Sequence, residues 1–294
     1  MRRSGLIAAL AIIAGAGFVL GFFPAIDLAV ARYLYAATHT IGGASKPWLL
    51  PIAHIVRKIS LWIEIPFIAL PVIAIGVKLA LPRRRILIPG RAVVLLLTSV
   101  ILVPGLLVNG VMKNHWERPR PGHLVEFGGN QHFVPWWEPR GDCRRNCSFV
   151  SGEASAAFWT LAPAALMPPL WQPLAYTAAI TFGVSVSLAR MVMGGHFLSD
   201  TIFAGALTFL AIWLLYATIY RWQRTQLDDR AIEQALEHLS ASCSVALGKR
   251  RRRAGASPVR PAASWRAADR DYGDVAADAG ATSEGAAYCV KEVA

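Results

Sequence analysis

The sequence predicts an all-α, polytopic membrane protein built as a bundle of six transmembrane helices. Three observations carry this expectation. The 294-residue chain is 55% hydrophobic and only 16% charged, too apolar for an ordinary water-soluble domain. A spanning helix needs about 20 mostly apolar residues, and segments 5–23, 61–81, 93–112, 154–171, 174–193 and 197–220 supply them. Basic residues gather at alternate segment ends, as they do when positive loops stay in the cytoplasm.

The first segment follows Met-Arg-Arg-Ser, a start that a cleavable leader shares. Pro24-Ala25-Ile26-Asp27 offers no small-x-small cleavage site, so an uncleaved first helix is expected. Residues 25–60 lead into the stretch KPWLLPIAHIVRKISLW, whose aromatic and basic residues predict an amphipathic segment resting on the outer leaflet. His54 within it reads as an interfacial polar residue. The fourth and fifth segments carry Pro163, Pro168, Pro169 and Pro173, tolerated in a span when neighbours or water satisfy the freed carbonyls.

Arg2, Arg3, Arg83, Arg84, Arg85, Arg91, Arg221 and Arg224 fall on one side of this arrangement, which predicts that both termini are cytoplasmic. The loop 113–152, assigned to the outer face, departs from the bias with Lys113, Arg118, Arg120, Arg140, Arg144 and Arg145. Anion binding is a reason to keep cations there. The formal net charge of +12 does not imply nucleic acid, because much of it lies at cytoplasmic helix ends and in the tail, beside anionic lipid headgroups.

After Tyr220, residues 223–248 are expected to form a short charged cytoplasmic helix. Residues 249–294 read as a basic, low-complexity tail without fixed structure, its opening basic run either lying on the inner leaflet or solvated. No internal repeat is found. Of four cysteines, Cys143 and Cys147 are close enough for a local disulfide; this or a pair of free thiols ranks ahead of zinc, which would need further ligands from Asp142, His132 or His123.

Three clusters at the outer ends of the segments carry candidate chemistry. The first, KNHWERPRP, sets the cations Lys113 and Arg120 before Pro121. The second, VSGE, puts Ser151 and Gly152 at a helix start, where free backbone N–H groups attract anions. The third, ARMVMGGHFLSD, spaces Arg190, His196 and Asp200 as Arg-x5-His-x3-Asp. If helical, His196 and Asp200 share one face, and the carboxylate would fix the imidazole tautomer and leave its other nitrogen as nucleophile or base. Arg190 adds a fork of donors suited to phosphate oxygens. Each feature alone has a structural alternative: a snorkelling arginine, a helix cap or a buried hydrogen bond. Together they supply what phosphoryl transfer requires.

Lys113-x6-Arg120-Pro121, Ser151-Gly152 and Arg190-x5-His196-x3-Asp200 resemble the tripartite motif of the type 2 phosphatidic acid phosphatase family. The resemblance covers the third to sixth segments. It implies a six-helix membrane domain over residues 1–222, with its motifs in 113–200 and an outer-face active site that needs no metal or cofactor. It further implies that His196 attacks phosphorus to form a phosphohistidine, that Asp200 orients it, and that Lys113, Arg120, Arg190 and the Ser151 and Gly152 backbone hold the phosphate.

Three positions depart from the family pattern, Val150 standing where the second motif usually has proline. Ala189 replaces the serine that usually opens the third motif, and Glu153 replaces the histidine that protonates the leaving oxygen. Glu153 can take that role only when protonated, which desolvation favours and neighbouring arginines oppose. His115, His123 and His132 are alternative donors, a stable leaving group would need little protonation, and an inactive relative is a third alternative. The expected function is a bacterial inner-membrane lipid phosphatase acting at the periplasmic face. Lipid A and undecaprenyl diphosphate are preferred over phosphatidylglycerophosphate and phosphatidic acid. The competing class is a non-catalytic phospholipid binder or transporter. The expected partners are the lipid substrate and membrane lipids.

Overall fold

Uninterrupted apolar runs close their backbone hydrogen bonds locally as helices, and the computed structural model describes them over residues 3–39 and 46–255. Helix α1 (Arg3–Phe22) turns at Pro24 into α2 (Ala25–Thr38). Then come α3 (Leu49–Ala80) and α4 (Gly90–His115). A long loop precedes two short helices, α5 (Gly152–Trp159) and α6 (Leu161–Ala165). Helix α7 (Gln172–Val192) and α8 (Leu198–Tyr216), prolonged by the π-turn Ala217–Arg221, complete the apolar part. Polar α9 (Asp229–Gly255) follows. No strand occurs among the described residues. Helices α1, α3, α4, α7 and extended α8 are long and apolar enough to cross a membrane.

Two expectations change here. The segment 154–171 is not one helix. Pro163 brings no N–H to continue the ladder, the Thr160 hydroxyl donates back to the Ala157 carbonyl at 2.6 Å, and the chain breaks between α5 and α6. The stretch expected to lie along the outer leaflet is instead the first half of α3. At 32 residues this helix is ~48 Å long, well beyond a hydrocarbon core of ~30 Å, so its amphipathic first turns extend past the apolar layer. The polar helix expected over 223–248 forms over Asp229–Gly255. The remaining tail, 256–294, lies outside the described residues.

The core forms where α5 packs between α7 and α8. A Cβ added at Gly205 would come within 2.8 Å of the Phe158 ring, and one at Gly183 would also collide with it, so these glycines let both helices close on one aromatic side chain. Ser155 and Thr208 hydroxyls bond at 2.8 Å, and the Trp159 indole N–H donates to Ser99 at 2.8 Å, satisfying polar groups in an apolar interior. Phe18, Trp62 and Leu188 point outward and are exposed, as expected of helices whose surroundings are lipid.

At the other end, α9 docks on α3 and α4 through buried Lys78. Its ammonium donates to Glu233 (2.8 Å), Glu237 (2.7 Å) and the Pro82 and Arg84 carbonyls. Arg91 pairs with Asp229, and Gly90 leaves room for Ile232. Because α4 starts beside α9 and carries Lys113 in its last turn, the loop 116–151 and the motif residues gather at the end opposite α9.

Candidate active site

The end of α4, the start of α5, and the turn between α7 and α8 converge, bringing all three sequence clusters together. Ser151 is extended and caps α5, its Oγ accepting from Ala154 N–H at 3.3 Å, while its own N–H donates to the Asp200 carbonyl at 3.2 Å. Gly152 is required by closeness rather than by torsion: a Cβ there would sit 2.8 Å from Lys113 Nζ and 2.6 Å from Asn109 Oδ1. The Lys113 ammonium thus lies against the positive end of α5, where an anion is favoured.

His196 sits in the turn before α8. Gly194 adopts φ +66, and Gly195 packs against the Arg190 guanidinium, where a Cβ would meet Nη2 at 2.6 Å. His196 therefore does not share a helix face with Asp200, because it precedes Phe197, the extended N-cap of α8. Its Nδ1 lies 2.8 Å from the Ser148 carbonyl and 3.7 Å from Asp200 Oδ2. A carbonyl only accepts, so Nδ1 carries the proton and Nε2 keeps its lone pair. The side chain is buried, and burial, outweighing the opposing pull of Asp200, lowers its pKa below the usual imidazole value.

Asp200 bonds to Ser148 more closely than to the imidazole. Its carboxylate accepts from Ser148 Oγ at 2.5 Å, Arg118 Nη1 at 2.5 Å and the Phe197 N–H at 2.8 Å, the last a cap on its own helix. Arg118 also donates to Asp27 Oδ2 (2.8 Å), Ser199 Oγ (2.7 Å) and the Val134 carbonyl (3.0 Å), and its guanidinium lies 4.3 Å over the Phe197 ring. Asp27, from α2, accepts in turn from the Ser199 N–H at 2.9 Å. Arg118, Asp27, Ser199, Ser148 and Asp200 are all buried.

The outer rim is less satisfied. Arg120 donates to the Asn146 carbonyl and side chain at 2.8–3.1 Å. Asn146 lies within the ring closed by the Cys143–Cys147 disulfide, and the Cys147 N–H donates to the Lys113 carbonyl at 3.2 Å. Arg190 is buried, yet its Nε has no hydrogen-bond partner among the described residues, the nearest carboxylate there being Glu153 at 3.6 Å. The charges of Lys113, Arg120, Arg190 and Glu153 act on one another across this space.

Glu153 receives two hydrogen bonds from Arg57 Nε, at 2.9 and 3.1 Å. Desolvation raises its pKa, but Arg57, Arg190 and His196 together outweigh this and hold the carboxyl below its usual range. Glu153 is therefore ionised in the free protein, the wrong state for donating a proton. His115, His123 and His132 are all exposed; His115 faces the Val111 carbonyl of its own helix and His132 pairs with Asp142.

Sequence reasoning does not pick out Arg57, Ser148 or Asp27, and treats Arg118 only as one cation of the loop. Asp27 carried a signal, since an acid embedded in apolar sequence requires a partner. Ser148 carried none, because it acts largely through its backbone carbonyl.

Comparison with known proteins places the motif-bearing region. Residues 92–224 match the PAP2 superfamily. Over 132 residues the chain is 39% identical to a lipid A 4'-phosphatase of Francisella tularensis subsp. novicida, covering 45% of this chain and 60% of that one. Proteins of the same name from Rhizobium etli (38% over 104 residues) and Rhizobium leguminosarum (37% over 106 residues) are matched over 40% and 46% of their lengths. The chain thus spans about half the length of the curated relatives it matches. No solved structure is significantly similar. Lys113, Arg120, Ser151, Gly152, Arg190, His196 and Asp200 all fall within residues 92–224, the region that matches the PAP2 superfamily.

Proposed function

We propose that the protein is a bacterial membrane phosphatase that removes a phosphate from a lipid headgroup, with a lipid A-type phosphate as the preferred substrate. The observation that carries this reading is the single-tautomer His196, its Nδ1 bonded to the Ser148 carbonyl, beside Lys113, Arg120 and the unsatisfied donor of Arg190. Cations alone would suffice for a binding protein; an oriented imidazole is what a nucleophile needs. The names of the relatives favour lipid A among lipid phosphates. A periplasmic site is supported by the basic residues near α9 at the opposite end of the bundle.

In this reading the substrate phosphate lies among Lys113, Arg120, Arg190 and the first N–H groups of α5, which balance the charge on its oxygens. His196 Nε2 attacks phosphorus, a P–N bond forms, and the P–O bond to the lipid breaks. The phosphate's negative charge raises the proton affinity of adjacent Glu153 in the bound complex. Its pairing with Arg57 is half-exposed and so opposes this by only ~1 kcal/mol or less. Glu153 then delivers its proton to the departing oxygen. Water, losing its proton to Glu153, attacks the phosphohistidine, releasing phosphate and restoring His196. The test is phosphate release from purified lipid A in detergent: wild type hydrolyses it, and absence of release from every lipid phosphate supplied overturns the reading.

A further inference from the structure

Arg57 lies on α3, outside the region that matches the PAP2 superfamily, and its placement has no counterpart in the three-cluster motif. Glu153 engages only its Nε, and both Nη groups are without a hydrogen bond among the described residues. The side chain is 46% exposed, so it is accessible to a ligand from outside. Its charge nevertheless acts on Arg120 and Arg190.

The charge balance leaves room for more than one anion. Lys113, Arg120, Arg190 and Arg57 against Glu153 leave about three positive charges around the rim. A phosphate monoester brings only about 1.5 to 2 negative charges, and Lys113, Arg120 and Arg190 already surround it in the proposed reaction. The buried Asp27–Arg118–Asp200 network keeps one net negative charge, so it and the phosphate together match Lys113, Arg120 and Arg190. Once Glu153 takes up its proton in the bound complex, the charge of Arg57 is left without a counterion.

We propose that Arg57, held at the mouth by Glu153, is a specificity-determining residue that binds a second anionic group on the substrate headgroup, so that the site prefers a lipid with two phosphates over one. This rests on the phosphatase reading for the identity of the substrate, though not for the test. Arg57 presents two N–H donors from a planar, permanently charged fork, a geometry matched to phosphate oxygens. Its Nε contact with Glu153 fixes the direction of that fork, which would otherwise cost side-chain entropy on binding.

The test measures equilibrium binding with His196→Ala protein, which does not turn over. The probes are two detergent-dispersed lipids with identical acyl chains, one carrying two phosphate monoesters on its headgroup and one carrying a single phosphate. Adding Arg57→Ala should weaken the two-phosphate lipid about tenfold and the one-phosphate lipid less than twofold. Equal loss for both lipids, or no loss for either, overturns the proposal. So does recovery of tight one-phosphate binding when an anionic phospholipid is added, since the second anion would then come from a neighbouring lipid. Wild-type hydrolysis is scored separately: failure to release phosphate removes the phosphatase reading and leaves the binding comparison intact.

Discussion

Arg118 and Arg190 are both buried arginines of one site, yet they are held in opposite ways. Arg118 spends its donors on two carboxylates, a hydroxyl and a carbonyl, and stacks on Phe197. Arg190 leaves Nε unbonded, with a thioether 3.9 Å from one Nη and a carboxylate no nearer than 3.6 Å. The same contrast divides the site. The inner half, Asp27–Arg118–Asp200 with Ser148 and Ser199, is saturated and fixes the direction of His196. The outer half, Lys113, Arg120, Arg190 and Arg57 around Glu153, retains donors. A saturated network positions; an unsaturated one is prepared for a ligand that completes it.

Breaking the inner half should have the largest effect. Arg118→Ala leaves Asp27 and Asp200 facing each other in the interior, and removing one partner of a buried ion pair costs ~3–5 kcal/mol. The expected outcome is a large drop in unfolding free energy, read by denaturant titration in detergent, together with loss of activity. Stability within 1 kcal/mol of wild type would mean that the network is dispensable.

Changes in the outer half should spare the fold and alter the chemistry. Glu153→Gln keeps the side-chain shape and removes its proton chemistry. Hydrolysis of alkyl phosphates should fall by about 10²-fold or more, while an aryl phosphate, whose leaving group departs without a proton, should lose only a few-fold. Equal losses on both would assign Glu153 to binding alone.

The smallest effect expected is on pH dependence. In the proposed reaction His196 must be neutral to attack phosphorus, and burial lowers its pKa. Activity is therefore present above that lowered pKa and lost as pH falls through it, so the acid limb of kcat/KM should lie below about 6.5, the unperturbed imidazole value. A limb above that value would contradict a buried His196 as the group that titrates.

This division between the halves also explains what could be read from the sequence. The all-helical membrane architecture was legible because about 20 apolar residues in a row have few other folds available. The motif cations and His196 were legible because their spacing is local and falls at helix ends. The break at Thr160 was harder, since proline inside a span is tolerated as often as it interrupts. The spacing of four between His196 and Asp200 suggested a shared helix face, but Phe197 starts the helix between them and the Ser148 carbonyl takes the imidazole proton instead. The partners that complete the site act across long separations: Arg57 reaches Glu153 across 96 residues, and Asp27 reaches Ser199 across 172. No local pattern encodes such pairs; the bundle must close before they meet.

In the proposed reaction the saturated half aims His196 at a phosphate held by the unsaturated half. The most direct test is to mix purified protein with a lipid phosphate carrying labelled phosphorus, quench within a turnover, and map the label on the chain. The expected result is an acid-labile, alkali-stable label on the peptide containing His196, absent from His196→Ala, which also releases no phosphate. Full phosphate release by His196→Ala, or release by wild type with the label on another residue, would contradict it.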